Sequence, residues 1–254
     1  MLSIHSPLCT DSAATHKPTT PPIKNVPGEF KLWSELAEIG DFLHIPASNN
    51  LYDESEHFQH INYKPGEHIY FIGQPFEALY LVNSGFLKSV LYDDFGNEQV
   101  LSFPMQGDVL AIDSLHTHCH NSEAITLAEC NIIKLPYNKL IKLSHHSEQV
   151  EQAIFAFFSK ELVDQQGRLS ILAKSKAQAR VVQFLLFMSE RFLSSGYSGN
   201  EFNFRMSRCE IGSYLGINLE TVSRVLSSLT ASGIISVHQK QVRINDMDAL
   251  HNLT

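Results

Sequence analysis

Residues 208–229 read RCEIGSYLGINLETVSRVLSSL, and this stretch predicts two short helices joined by a tight turn. Ser207 and Glu210 fit a capping box, in which each side chain accepts a hydrogen bond from the backbone amide of the other residue. Gly216 is expected to end the first helix, and Asn218 can cap the second. Two helices connected in this way form a helix-turn-helix.

The second helix separates an apolar face from a polar face. The apolar face carries Val222, Val225, Leu226 and Leu229. The polar face carries Glu220, Thr221, Ser223 and Arg224. Arginine can donate two hydrogen bonds to guanine and glutamate can accept one from cytosine, so this face suits the reading of base edges. A surface ion pair between Glu220 and Arg224, without a DNA role, is the alternative.

The sequence after the second helix predicts a β-hairpin. Residues 234–246 read IISVHQKQVRIND, which are two β-like runs around a turn at Gln239 and Lys240. A hairpin in this place makes the motif a winged helix-turn-helix. Ser207, Arg208 and Lys240 complete the set of residues expected to contact DNA.

Charge is distributed unevenly along the 254 residues. The net charge of −8 argues against a general nucleic-acid binder, but residues 174–254 hold nine Lys/Arg and six Asp/Glu and so carry +3. An acidic body with a mildly basic C-terminal part indicates that only this part meets phosphate. The sequence has neither a run of ~20 apolar residues nor a secretory signal, so a cytoplasmic location without membrane contact is expected.

The N-terminal half of the sequence predicts an arm and a β-rich domain instead of a helical one. Residues 1–28 are rich in Ser, Thr and Pro and predict a flexible arm, and residues 31–45 (KLWSELAEIGDFLHI) predict a short amphipathic helix. Residues 58–136 form short β-rich runs broken by PGE, NSG and DFGNE turns, which are typical of a sandwich or barrel.

A long helix is expected after Pro136. Its apolar residues recur at alternating spacings of three and four, with one polar interruption, at Phe155, Phe158, Leu162, Gln165, Leu169 and Leu172. This heptad seam either packs on the chain's own β-domain or forms a parallel dimer. Residues 178–196 predict a further amphipathic helix that ends at Gly196.

Together these residues resemble the Crp/Fnr superfamily of bacterial transcription regulators. IGSYLG and ETVSR, in residues 211–224, are similar to the Fnr-type recognition motif with its core E-x-x-S-R. The resemblance extends from about Phe58 to Ile244. It implies an α+β fold with four parts in order: the arm (1–28), a β-roll similar to cyclic-nucleotide-binding domains (29–145), a dimerisation helix (146–173) and the winged helix-turn-helix domain (174–254).

The resemblance also implies a function. The chain would be a transcription regulator, not an enzyme, and would bind double-stranded DNA as a homodimer; activation and repression both stay open, although contact with RNA polymerase is typical of an activator. Glu220, Ser223 and Arg224 fall on the E, S and R of the motif, which implies the palindrome TTGAT-N4-ATCAA or one close to it. RNA polymerase would be contacted by an exposed β-roll loop, for which YDDFGNEQ (92–99) is the candidate; a plain hairpin is the alternative. The contact residues there would be Asp93, Asp94, Phe95 and Glu98.

The cofactors of known relatives are not expected here. The cyclic AMP site of such regulators uses an arginine for the phosphate, but residues 107–130 contain none and place Glu123 in that region. The [4Fe–4S] cluster of oxygen-sensing relatives needs three cysteines in the arm and one in the β-roll. Here the arm holds only Cys9, and Cys130 lies three positions before the corresponding place at Ile133.

The run HTHCH at residues 116–120 leaves other possibilities open. On a strand, His116, His118 and His120 would project to one side and could hold a metal or haem; a polar loop is the alternative. The rival functions are therefore a metal- or haem-responsive regulator, a cupin-type metalloenzyme, or a regulator without an effector that is controlled by its abundance.

The four cysteines show no CxxC spacing and are expected to be free thiols. A redox pair of Cys119 with Cys130 is left open. Cys209 is expected to be a small packing residue.

Overall fold

The computed structural model describes residues 33–35, 57–146 and 148–254; the arm predicted for residues 1–28 lies outside them. The strands are β1 (Trp33–Glu35), β2 (His57–Tyr63), β3 (His68–Tyr70), β4 (Ala78–Ser84), β5 (Leu87–Tyr92), β6 (Glu98–Ser102), β7 (Val109–Leu110), β8 (Glu123–Thr126), β9 (Cys130–Pro136), β10 (Glu201–Asn203), β11 (Ile235–His238) and β12 (Gln241–Ile244). The helices are α1 (Ser114–Thr117), α2 (Tyr137–Ser144), α3 (Glu148–Leu172), α4 (Ala177–Ser194), α5 (Arg208–Leu215), α6 (Leu219–Ala231) and α7 (Met247–His251).

The N-terminal domain is built from two antiparallel sheets, with strand orders β1-β2-β9-β4-β7 and β3-β8-β5-β6. Leu87 and Ala124 from one sheet and Val82 and Ile132 from the other are fully buried in one cluster. The predicted β-domain is therefore confirmed.

One prediction for the N-terminal half is wrong. Residues 33–35 form strand β1, which pairs with β2 in the register Trp33↔Gln59, instead of part of the helix predicted for residues 31–45. The exposed hydrogen-bonding edge of β2 offers these residues backbone partners, and tertiary pairing of this kind overrides a weak helical pattern. The rest of residues 31–45 lies outside the described part of the chain.

Helix α3 uses two different faces. Val150, Phe157 and Ile171 are buried against the chain's own domains. On the seam, Phe155, Leu162 and Leu169 are 63%, 64% and 66% exposed, whereas Phe158, Gln165 and Leu172 are half-buried. The helix thus packs on its own domains through a face other than the heptad seam.

The C-terminal domain consists of α4 to α7 and the small sheet β10-β12-β11. Its core continues into the β-roll through aromatic rings that pack at tilted angles. The ring of Phe103, which follows β6, lies 6.1 Å from that of Phe184 and 5.3 Å from that of Tyr214, measured between ring centres. All three side chains are at most 3% exposed, so one hydrophobic cluster joins both domains.

A buried ion pair lies beside these rings. Asp108, which precedes β7, accepts a hydrogen bond from the guanidinium of Arg191 on α4 and another from Lys160 on α3, at 2.7 Å. The Asp108 and Arg191 side chains are only 12% and 15% exposed. Burial by itself raises the pKa of Asp108, but the charges of Arg191 and Lys160 outweigh this and hold the pKa below 3.8.

Replacing Arg191 with methionine should lower the free energy of unfolding by about 3–5 kcal/mol at neutral pH, because Asp108 would keep its buried charge without its main partner. The loss should shrink as the pH falls through the lowered pKa of Asp108, because the carboxylate then becomes protonated in the wild type as well as in the variant. Urea titration measures both effects. Arg243→Met, at an exposed arginine, is the control; equal stability of the two variants would contradict the role of the pair.

Candidate nucleic-acid interface

The caps of the helix-turn-helix are formed as the sequence predicts. Ser207 Oγ accepts a hydrogen bond from the Glu210 amide at 3.2 Å, and Glu210 Oε2 accepts one from the Ser207 amide at 2.6 Å. Gly216 ends α5 with φ +64°. Asn218 Oδ1 accepts a hydrogen bond from the Thr221 amide at 2.9 Å and so begins α6. These local bonds set the turn between the two helices.

Gly212 is a structural requirement of this turn that the sequence analysis missed. A Cβ on Gly212 would lie 2.6 Å from the carbonyl oxygen of Ile217. The same stretch of backbone is held by a hydrogen bond from the Ile217 amide to the Gly212 carbonyl at 3.0 Å. The sequence did contain a signal for this requirement. A glycine within a predicted helix lowers helix stability, so its presence indicates a packing or functional reason.

Helix α6 presents its polar face to solvent. Val222, Val225, Leu226 and Leu229 are all buried, as predicted. Glu220 and Arg224 are exposed, and Thr221 and Ser223 are half-buried. Within the described residues no ion pair joins Glu220 to Arg224. The surface pair considered above is therefore not formed, and Arg224 points out from a well-packed helix.

Several basic residues of the C-terminal domain lie near the polar face of α6. Arg208 Nη1 donates a hydrogen bond to Ser223 Oγ at 3.3 Å, so the guanidinium connects α5 to α6. Lys240 is exposed at the tip of the wing, where Gln239 adopts φ +54°. Arg205 and Arg243 are also exposed in this domain, and the sequence analysis missed them although they neighbour Ser207 and the wing turn.

Helix α5 is fixed to the edge of the β-roll. Lys88 on β5 forms ion pairs with Glu98 at 2.7 Å and with Glu210 at 3.0 Å. The Ser213 hydroxyl accepts a hydrogen bond from the Val100 amide at 2.9 Å and donates one to the Glu98 carbonyl at 3.0 Å. The edge of β6 thus holds the first helix of the DNA-binding motif, and no local sequence pattern indicates this contact.

The loop proposed for polymerase contact is an ordered turn. The Asn97 side chain donates to Asp93 Oδ2 at 2.8 Å, and the backbone amides of Asn97 and Phe95 donate to Asp93 Oδ1 at 2.8 and 2.9 Å. These hydrogen bonds, that of the Asn97 side chain above all, lower the pKa of Asp93. Asp94 is exposed, and Phe95 is 90% exposed. Glu98 differs from these three residues because it lies in β6 and its carboxylate is bound by Lys88.

The histidine run does not form the strand that the alternative of a metal or haem site would need. His116 lies on the helical turn α1, and His118 ends this turn with φ +56°, so the three rings do not line one side of a strand. His120 is buried, stacks on Tyr70 with 4.0 Å between ring centres, and has its pKa lowered to about 4 by burial. Within the described residues no three His, Cys, Asp or Glu side chains are placed to hold a metal ion.

The cysteines also differ from expectation. The redox pair of Cys119 with Cys130 is not formed, because Cys130 is a free thiol, as is Cys209. Cys130 is buried, and burial raises the pKa of its thiol. Cys209 is exposed and is therefore not a packing residue.

Comparison with known proteins agrees with this geometry. The Crp-like helix-turn-helix domain matches residues 179–253, and the cyclic nucleotide-binding domain matches residues 60–147. Electron transport regulator A of Shewanella oneidensis is 35% identical over 188 residues, which cover 74% of this chain and 75% of the relative. The chain belongs to the Crp/Fnr family.

Two further Crp/Fnr proteins support the assignment. The transcriptional activator protein anr of Pseudomonas aeruginosa is 34% identical over 183 residues, covering 72% of this chain and 75% of the relative. The solved structure of FixK2 from Bradyrhizobium japonicum has a TM-score of 0.70 and 30% identity, and covers 77% of this chain and 96% of its own. The chain is thus a transcription regulator with a DNA-binding helix-turn-helix domain. None of the helices in the described part of the chain is long and apolar enough to span a membrane.

Gly212→Ala should lower the free energy of unfolding by about 1–3 kcal/mol, because the new methyl group clashes with the Ile217 carbonyl and forces the turn to shift. Gly167→Ala is the matched control. A Cβ there meets its nearest atom at 3.9 Å, so the gain in helix propensity should stabilise the protein by about 0.5–1 kcal/mol. Thermal and urea unfolding of both variants measure the difference; effects of the same sign would contradict the close approach.

Proposed function

We propose that the protein binds as a homodimer to a palindromic operator close to TTGAT-N4-ATCAA and reads it through α6. The observation that carries this proposal is the exposed, unpaired Arg224 on the helix with the E-x-x-S-R motif. Its guanidinium can donate to O6 and N7 of a guanine, and Glu220, one turn earlier, can accept from a cytosine amino group. The half-site offers both bases in its G·C pair.

The rest of the interface supplies phosphate contacts. Lys240 at the wing and Arg208 beside α6 are exposed and basic, and contacts of this kind position a protein on DNA without reading sequence. The Ser207 hydroxyl is engaged in the helix cap, so its contribution is to orient the N-terminus of α5. Thr221 and Ser223 add short polar groups on the groove-facing side.

A second copy of the chain would cover the exposed seam of α3. Phe155, Leu162 and Leu169 form an apolar stripe along more than half of the helix, and Val163 beside it is 61% exposed. Apolar residues with this heptad spacing favour a parallel pair of helices. A parallel pair has two-fold symmetry, which places two α6 helices on the two halves of a palindrome.

Two further parts of the proposal concern partners and cofactors. The ordered turn that presents Asp93, Asp94 and Phe95 would contact RNA polymerase, with the exposed ring as an anchor. DNA binding would require neither a [4Fe–4S] cluster nor cyclic AMP, because the sequence has one arm cysteine where the cluster needs three, and no arginine in residues 107–130 for the cyclic phosphate.

Arg224→Ala should weaken binding to TTGAT-N4-ATCAA by about 1–3 kcal/mol and relax the preference for the guanine of the half-site. Lys240→Ala should instead weaken all duplexes alike and reduce the salt dependence by about one phosphate contact. Gel-shift titration in air at fixed salt, with the operator and a scrambled duplex, measures both. Equal loss on both duplexes for Arg224→Ala would identify a phosphate contact and refute the base-reading role.

Leu162→Asp should convert the dimer into monomers, because a carboxylate would be buried in the apolar seam without a partner. Leu193→Asp is the control, since Leu193 on α4 is 65% exposed and lies off the seam. Sedimentation velocity distinguishes the two states. A dimer that survives Leu162→Asp would show that the seam is not the interface.

A further inference from the structure

Strand β6 comes last in the strand order β3-β8-β5-β6, and two helices of the chain contact its outer edge. The Val100 amide donates a hydrogen bond to Ser213 Oγ on α5 at 2.9 Å, and the Val100 carbonyl accepts one from Arg168 Nη2 on α3 at 3.1 Å. These two side chains thus bind backbone groups that a further strand would otherwise pair. One residue of the β-roll is therefore bonded both to the helix with the heptad seam and to the first helix of the helix-turn-helix.

Further bonds hold α5 on this edge. The Ser213 hydroxyl donates to the Glu98 carbonyl at 3.0 Å, and the Gln99 side-chain amide donates to the Ser213 carbonyl at 2.5 Å. Lys88 on the neighbouring strand is only 13% exposed and binds the carboxylates of Glu98 and Glu210. Burial by itself lowers the pKa of Lys88, but its hydrogen bonds with the two glutamates outweigh this and raise the pKa. Lys88 therefore stays charged at neutral pH and ties α5 to the strand edge.

Arg168 also connects α3 to α5 directly. Its guanidinium carbon lies 5.2 Å from the centre of the Tyr214 ring, and Tyr214 follows Ser213 on α5. A guanidinium at this distance from an aromatic ring is attracted to the ring electrostatically. The next residue along α3 is Leu169, which belongs to the exposed seam. The seam and the helix-turn-helix are thus joined through a short set of contacts at the edge of β6.

These hydrogen bonds constrain the interface in a way that its hydrophobic part does not. Hydrophobic contact holds the two domains together but is non-directional. A hydrogen bond requires an aligned donor and acceptor. The bonds at β6 therefore fix the angle of α5 relative to the strand. Helix α6 follows α5, because the Asn218 cap, the close approach at Gly212 and the bond from Arg208 to Ser223 join the two helices.

A palindromic operator requires a fixed angle of this kind. The two recognition helices of a dimer must meet two half-sites at one separation. Each base pair added to the spacer moves a half-site by about 3.4 Å and rotates it by about 35° around the DNA axis. In a dimer joined along α3, the position of α6 relative to the seam therefore selects the length of the spacer.

We propose that the edge of β6 determines the half-site spacing of the operator, with Lys88 and Ser213 as the positioning residues that hold α6 at one angle to the α3 seam. Neither residue lies on α6, so neither is a base-reading group. This role rests on the proposed homodimer and its palindrome, but it does not depend on the sequence TTGAT of the half-site.

Selection from a pool of random duplexes, followed by sequencing, reads the half-site and the spacing separately for the full chain. The wild type should return palindromes with one dominant spacer length. Ser213→Ala and Lys88→Met should return the same half-site with spacers spread over two or more lengths. Lys88→Arg keeps the charge and should keep the single spacer. Lys134→Met is the matched control, because the ion pair of Lys134 with Glu77 lies within the β-roll.

Gel shifts at one salt concentration then measure the size of the effect on the selected half-site. The wild type should bind the preferred spacer about tenfold or more tightly than spacers one base pair shorter or longer, because a misplaced half-site loses base contacts. In Ser213→Ala and Lys88→Met this ratio should fall to about threefold or less, whereas affinity for a duplex with a single half-site should stay within about twofold of the wild type, since the base contacts are retained.

An unchanged spacing ratio in Ser213→Ala and Lys88→Met would overturn the proposal, even if both variants bound every duplex more weakly, because the bonds would then serve stability alone. Should Lys88→Met fail to fold, Ser213→Ala decides the question, since it removes a single hydroxyl. A wild type that selects single, unrepeated sites would overturn this proposal together with the homodimer. A palindrome with another half-site, whose single spacer broadens in the variants, would confirm the positioning role and refute only the TTGAT operator.

Discussion

The buried ion pair of Asp108 with Arg191 is the interaction on which the arrangement of the two domains depends. It joins the β-roll to α4 next to the rings of Phe103, Phe184 and Tyr214. Charges in such a place are costly unless they are paired, so the pair specifies one position of the helix relative to the sheet. The DNA-binding domain is thereby held on the β-roll, and the buried hydrophobic residues of the two domains form one continuous cluster.

Helix α5 contributes both to the helix-turn-helix and to the contact between the two domains. Its caps and Gly212 shape the turn that presents α6, while Ser213 and Glu210 connect it to β6 and Lys88. Any movement of the β5–β6 edge would therefore be transmitted to the recognition helix through a few short hydrogen bonds. Since α6 makes its own contacts through a buried apolar face, its polar face remains available to DNA.

Helix α3 divides its surface in a similar way. One face packs inward through Phe157 and Ile171, and the opposite stripe of Phe155, Leu162 and Leu169 is exposed and is the proposed contact with a second copy. The same helix thus separates its buried packing face from the proposed dimer interface by roughly half a helical turn.

Features of the sequence that depend on neighbouring residues were predicted correctly. The capping box at Ser207, the Asn218 cap, the Gly216 end, the apolar face of α6 and the hairpin at Gln239 all follow from hydrogen bonds and periodicity within a few residues. The heptad seam and the E-x-x-S-R motif are local in the same sense. The recognition surface was therefore determined almost entirely by the sequence itself.

The rest was decided by tertiary structure, because it depends on residues that are far apart in the chain. The strand at residues 33–35 forms on the edge of β2, and the histidine run, which alternates in sequence, is bent into a helical turn by its packing in the β-roll. Lys88 meets Glu210 and Asp108 meets Arg191 across more than 80 residues. Local patterns carry no information on such partners, since burial and ion pairing are set only once the chain has folded and brought the two charges out of water together.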